Sequence, residues 1–153
     1  MKSPVKYSML GVSLLLAGVL VLFAAEVIQT QESDTWDGME ADLVKISIGN
    51  DILTLRFKFR NGAESAHNVS FMYKDCYIVD ETNQKKYFAL KDSEGQFIGG
   101  PKDKEWEGGR FGMRISADGS KGCWMKFPVP ADNPESISIS IPGFFPFEEV
   151  KLD

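Results

Sequence analysis

Histidine and cysteine are both scarce in this chain: His67 stands alone, and Cys76 and Cys123 are the only thiols in 153 residues. That scarcity excludes most hydrolytic machinery. A Ser-His-acid triad would have to use His67, which lies in the loop-like stretch NGAESAHN, and no serine sits in a G-x-S-x-G setting. One histidine and two cysteines at unrelated spacing do not supply the four ligands of a zinc site. No D-x-D-x-D-G loop is present for calcium, and Asp118-Gly119 reads as turn chemistry. The expectation is therefore no catalytic residue, no cofactor and no metal, in a protein that is not an enzyme.

Charge is missing altogether from residues 7–25, YSMLGVSLLLAGVLVLFAA, which follow Lys2 and Lys6. A secretory signal carries an apolar stretch of about 7–15 residues before a small-x-small cleavage site, whereas a spanning helix needs about 17–25. The run has the length of a span, and cuts after Ala24 or Ala25 would place Leu22 or Phe23 where a small residue is wanted. Residues 1–25 are thus expected to form one N-terminal hydrophobic helix retained as a membrane anchor, a cleaved signal being the alternative. No lipid-bearing cysteine follows the run. The next basic residue after Lys6 is Lys45, so the positive-inside rule leaves the N-terminus in the cytoplasm and the rest of the chain outside. That exported part carries 15 of the 17 basic residues and all 22 acidic ones, a net charge of −7. Such a balance disfavours nucleic acid as a partner.

Residues 26–42, EVIQTQESDTWDGMEAD, contain six acids, no base and little apolar periodicity, the composition of a solvated spacer. After residue 25 no amphipathic helical period is found either; from residue 43 the period is two. Val44, Ile46 and Ile48 alternate with polar residues, as do Leu53, Leu55, Phe57 and Phe59, and Gly49-Asn50-Asp51 between them predicts a hairpin. Strands are further predicted over VSFMYKDCYIVD (69–80), KKYFALKD (85–92), RFGMRIS (110–116), KGCWMKFPV (121–129) and SISISI (136–141). In the ending IPGFFPFEEVKLD, Pro142 halts a strand, Gly143 turns the chain and a last strand runs over about 147–152, with a bulge near Glu149. Phe145 and Phe147 are expected to close the core, leaving Phe144 exposed. Short strands separated by frequent turns over residues 43–153 predict an all-β fold, an antiparallel β-sandwich.

The order KKYFALKDSEGQF, then ISADGSKGCWMKFPVPADNPESISISIPGFFPFEEVKL, resembles bacterial exported immunoglobulin-like β-sandwich domains of mostly unassigned function, related to secreted mycobacterial immunogenic antigens. The shared elements are the KKY strand before D-x-x-G, a Gly turn before an aromatic-bearing strand, F-P-x-P after it, and the closing I-P-x-x-x-P-F. The resemblance covers roughly residues 43–153 and implies an immunoglobulin-like fold and export to the bacterial periplasm or cell surface. It assigns no binding or catalytic residue. GGPKDKEWEGG (99–109) departs from the pattern, since similar chains tend to carry cysteines there.

An even cysteine count in an exported domain makes Cys76–Cys123 a candidate disulfide, and strand parity lets both side chains point inward. Free buried thiols are the alternative. Trp36, Trp106, Phe111 and Phe144 are the candidate partner contacts, because aromatic side chains on loops over a rigid sandwich are favoured anchors. The expected function is a membrane-tethered, extracytoplasmic protein-binding or accessory subunit, its partner another envelope or membrane protein and the membrane itself engaged through residues 7–25. A freely secreted or periplasmic small-ligand or envelope-stress protein is the alternative if the signal is cleaved.

Overall fold

Apolar alternation along this chain is converted into eleven strands joined by antiparallel pairing, in a computed structural model that describes residues 26–152. The expected N-terminal helix and its anchoring or signal role lie outside the described residues. No helix among the described residues is long and apolar enough to cross a membrane.

The strands are β1 (Gln29–Glu32), β2 (Met39–Gly49), β3 (Ile52–Asn61), β4 (His67–Met72), β5 (Tyr77–Asp80), β6 (Lys85–Phe88), β7 (Gly99–Gly100), β8 (Arg110–Ile115), β9 (Ser120–Pro128), β10 (Ser136–Ser140) and β11 (Phe147–Lys151). They form a five-stranded sheet ordered β1-β2-β3-β9-β7, a four-stranded sheet ordered β11-β10-β5-β6, and a β4-β8 ribbon. The fold is all-β and sandwich-like, with one core shared by the three sheets. Phe59 of β3 is its hub, with ring centroids 5.8 Å from Phe71, 5.1 Å from Phe111 and 5.0 Å from Phe144. Phe57 meets Phe147 of the facing sheet at 5.6 Å.

The β2–β3 hairpin turns at Asn50 and Asp51, whose φ values of 52° and 59° are those of a two-residue type I′ loop. Leu53, Leu55, Phe57 and Phe59 all point into the core, as their alternation predicts. On β2 the expected parity holds only past a bulge. Leu43 pairs with Phe57 and Lys45 with Arg56, so Val44 is the extra residue; the inward set is Met39, Ala41 and Leu43 before it and Ile46 after it. The bulge near Glu149 is present: Ile137 pairs with Val150 and Ile139 with Phe147, so Ser138 faces two residues, and Glu149 has φ 52°.

Other expectations are corrected. Residues 69–80 are not one strand; a 3-10 turn at Tyr73–Asp75 carries the chain from the β4-β8 ribbon to the four-stranded sheet. Residues 26–42 are not a free spacer. They contain β1 and the start of β2, paired from Gln29↔Leu43 to Glu32↔Glu40, and the boundary expected at residue 43 falls inside β2. Composition misled there because the segment's apolar residues are few but well placed: Met39 and Ala41 enter the core, and Trp36 packs 5.7 Å from Phe144. The Phe-Pro ending is inverted as well, Phe144 being 4% exposed and Phe145 50%. Phe144 N–H bonds to Ile141 O and Phe145 N–H to Glu32 O, and this tight turn rolls the first ring inward and the second out.

Cys76 and Cys123 are free thiols, both buried, and no disulfide joins them. Each has a different partner: Cys76 Sγ lies 3.6 Å from Met72 O, and Cys123 Sγ lies 3.4 Å from the Tyr73 hydroxyl. Burial pushes the Cys123 thiol up to about 12 and raises Cys76 as well, so both stay protonated and pack as small apolar groups.

Candidate functional site

The outward side chains of β2, β3 and β9 make the most distinctive surface among the described residues. Antiparallel partners point to the same face, so the register Lys45↔Arg56↔Trp124 and Lys58↔Gly122 fixes what stands beside what. Lys45, Arg56 and Lys58 are exposed, Lys126 is half-buried, and Trp124 is 36% exposed. No carboxylate of the described residues comes within 4.0 Å of any of these four cations. Residues 26–153 carry a net charge of −7, so a cluster of like-charged cations without salt bridges on one sheet face is a departure from the mean.

A groove of about 480 Å³ runs through this cluster, walled by Trp124 on one side and by Val44, Arg56 and Lys58 on the other, with Ser120 and Gly122 at its floor. Gly122 leaves the floor open: a Cβ there would meet only Phe57 O, at 3.9 Å. The indole is held by a second glycine. A Cβ on Gly100 would lie 2.9 Å from Trp124 Nε1 and 3.2 Å from Cε2, so only glycine lets the ring lie across β7. The preceding residue does the same on the inner face, where a Gly99 Cβ would meet Tyr73 Cε1 at 2.8 Å. The Gly99-Gly100 pair therefore seats one aromatic on each side of the sheet. Tyr73 is fixed further by its hydroxyl, which donates to Pro101 O at 2.8 Å, and burial pushes its phenol well up.

At Lys58 the same face turns acidic, since its Cα partner on β2 is Asp42 and that of Arg60 is Glu40. Asp42, only 2% exposed, accepts from Thr30 Oγ1 at 2.7 Å, from Arg60 Nε at 2.5 Å and from Arg60 Nη2 at 3.0 Å. Arg60 reaches Glu40 at 2.8 Å with its other nitrogen. The hydrogen bonds from Arg60 hold Asp42 below its ordinary value and raise the guanidinium in turn. Arg60 is thereby ion-paired within the fold, whereas Lys58, although opposite Asp42, and Arg56 form no salt bridge among the described residues.

The aromatic residues singled out from sequence are scattered. Phe111 and Phe144 are core residues and so not free contacts, and Trp36, half-buried, packs against that core. Trp106 is 48% exposed, but it stands on the β7–β8 loop under the Arg110 guanidinium, 4.4 Å from its ring, and apart from the groove. That loop is also better ordered than its glycines suggest: Asp103 and Arg110 bridge through their backbones, Arg110 Nη2 reaches Asp103 Oδ2 at 3.0 Å, and Lys74 pairs with Glu107. His67 is partly buried, with no hydrogen-bond partner at Nε2. Among the described residues no group of three His, Cys, Asp or Glu side chains is placed to hold a metal ion. The sequence reading missed Lys45, Arg56, Lys58 and Lys126. Their signal was the polar half of each alternating strand, but it is the β2–β3 and β3–β9 registers that bring them to one sheet face, with Arg56 and Lys58 lining the groove beside Trp124.

No known protein family matches the chain, and no curated protein or solved structure matches it.

Proposed function

We propose that this protein is a non-enzymatic, membrane-tethered binding or accessory module that displays its β-sandwich on the outer side of a bacterial membrane and engages an envelope partner through the Trp124 groove. One observation carries the reading: an exposed indole seated on Gly100 and flanked by cations that form no salt bridge among the described residues. Tryptophan and arginine at the centre of a groove are the side chains that most often dominate binding energy. The groove is lined by neither histidine nor carboxylate, so it offers a nucleophile no general base. An immunoglobulin-like arrangement, which the resemblance implies, is compatible with antiparallel sheets packed around one core.

The tether is short on this reading. Only Glu26–Ile28 separate the uncharged run ending at Ala25 from β1, about 10 Å of extended chain. The groove would accordingly work close to the membrane, within reach of subunits embedded in it.

A photo-crosslinking residue placed at Lys58 of the full-length protein in intact cells tests the proposal, with Ser138 on the outer face of the other sheet as the comparison. A discrete adduct from position 58 and none from 138 is expected. Adducts from neither position, or equal labelling from both, would remove the groove as the binding site. Intact mass of the protein from the membrane fraction separates the tethered form from the secreted alternative, which lacks about 25 residues on the signal-length rule.

A further inference from the structure

We infer that the element recognised by the Trp124 groove is an extended, acidic peptide segment, a strand or tail with carboxylates at alternate positions; this rests on the binding reading above and names its ligand. Charge complementarity comes first. Lys45, Arg56, Lys58 and Lys126 have no carboxylate within 4.0 Å among the described residues, although the exported chain has 22 acidic residues with which to supply one. Arg60, two positions along the same strand, is matched internally by Asp42 and Glu40. The fold thus ion-pairs one cation of the row, sets Asp42 opposite Lys58 without a salt bridge, and leaves Arg56, Lys45 and Lys126 with no carboxylate beside them, for an anion from outside.

Spacing selects the kind of anion. Arg56 and Lys58 are alternate residues of β3, so their side chains leave the sheet about 6.6–6.8 Å apart. Alternate side chains of any extended peptide repeat at that same distance. A segment lying along β3 sets successive carboxylates over Arg56 and Lys58, where the planar guanidinium accommodates one of them bidentately. Lys45, the Cα partner of Arg56 on β2, reinforces the first position. Between this row and the indole the floor is Gly122, without a side chain, which leaves room for the apolar flank of the segment against Trp124. Neither a bilayer surface nor a polysaccharide acid has a reason to share the strand repeat.

The test uses the full-length protein in detergent micelles and a fluorescein-labelled decapeptide of alternating Glu and Val, read by anisotropy at low and high salt. A Lys-Val decapeptide, polygalacturonate and vesicles of anionic phospholipid serve as comparisons. Binding of the Glu-Val peptide is expected, weaker at high salt, and reduced about tenfold or more in Arg56→Glu/Lys58→Glu and several-fold in Trp124→Ala. Arg56→Gln/Lys58→Gln provides a milder version of the double change, and an unchanged melting temperature shows that either variant is folded. Equal binding of the Glu-Val and Lys-Val peptides, or binding that the double variants leave intact, overturns the inference. So does capture of polygalacturonate or vesicles in place of the peptide, or a salt-sensitive self-association that accounts for the signal. If no acidic probe binds while position 58 still yields its cellular adduct, the acidic-peptide assignment fails and the binding module stands. If the adduct is missing too, both fail.

Discussion

Along β3 the inward side chains are Leu53, Leu55, Phe57 and Phe59, and the outward ones are Thr54, Arg56, Lys58 and Arg60; along β9 the inward Cys123, Met125 and Phe127 alternate with Gly122, Trp124 and Lys126. The same backbone therefore builds a dry apolar core on one side and a cationic, indole-bearing groove on the other. Because a strand's side chains alternate, the residues that hold the sandwich and those that line the groove are largely different, Phe57 and Cys123 belonging to both. Stability and binding are separable in this sheet, except at the few residues that serve both faces.

The sharpest way to challenge that separation is from inside. Phe59→Ala removes the ring that joins three other phenylalanines and is expected to cost about 3–5 kcal/mol in chemical denaturation. Gly100→Ala probes a residue that serves both faces: a methyl group would press on the indole and crowd the β7–β9 pairing, for a loss of about 1–3 kcal/mol together with a shift in tryptophan emission. An unchanged spectrum would mean that Gly100 does not seat Trp124.

Asp42→Asn tests a charged outward position that is buried. Losing the charge of a carboxylate bonded by Arg60 and Thr30 is expected to cost about 1–2 kcal/mol at neutral pH, the exposure of Arg60 keeping the figure low. The folded state holds Asp42 below its unfolded value, so its contribution is fully present above about pH 4 and is lost as pH falls through the folded value. The wild-type protein should accordingly lose more stability than the variant between neutral and acid pH; parallel curves would show that the pair contributes nothing. Arg56→Ala should be the mildest, within about 0.5 kcal/mol in melting, since the residue is exposed and unpaired. A larger loss would break the separation of the two faces.

The inward set of β3 was legible because four apolar residues in strict alternation admit one reading. The β2–β3 hairpin was legible for a similar reason, Asn50 and Asp51 being residues that tolerate positive φ. The first half of β2 was not. Its inward residues, Met39, Ala41 and Leu43, sit among Glu40 and Asp42, and the acidic character of the segment masked a strand whose charges are absorbed by Arg60 across the pairing. Cys76 and Cys123 had the parity for a bridge, but thiol orientation depends on neighbours such as Tyr73 and Met72 that parity does not name. Phe144 and Phe145 were exchanged because a proline-glycine turn can present either neighbour inward.

Alternation and turn residues determined from the sequence alone that residues beyond 43 are all-β. Those are local properties, written in periods of two and in residue types. Which cations stand beside which indole was decided only by the tertiary structure. Arg56 and Trp124 are far apart in the chain and become neighbours through the β3–β9 register, and that register is set by how Leu55, Phe57, Cys123 and Met125 pack on the opposite face.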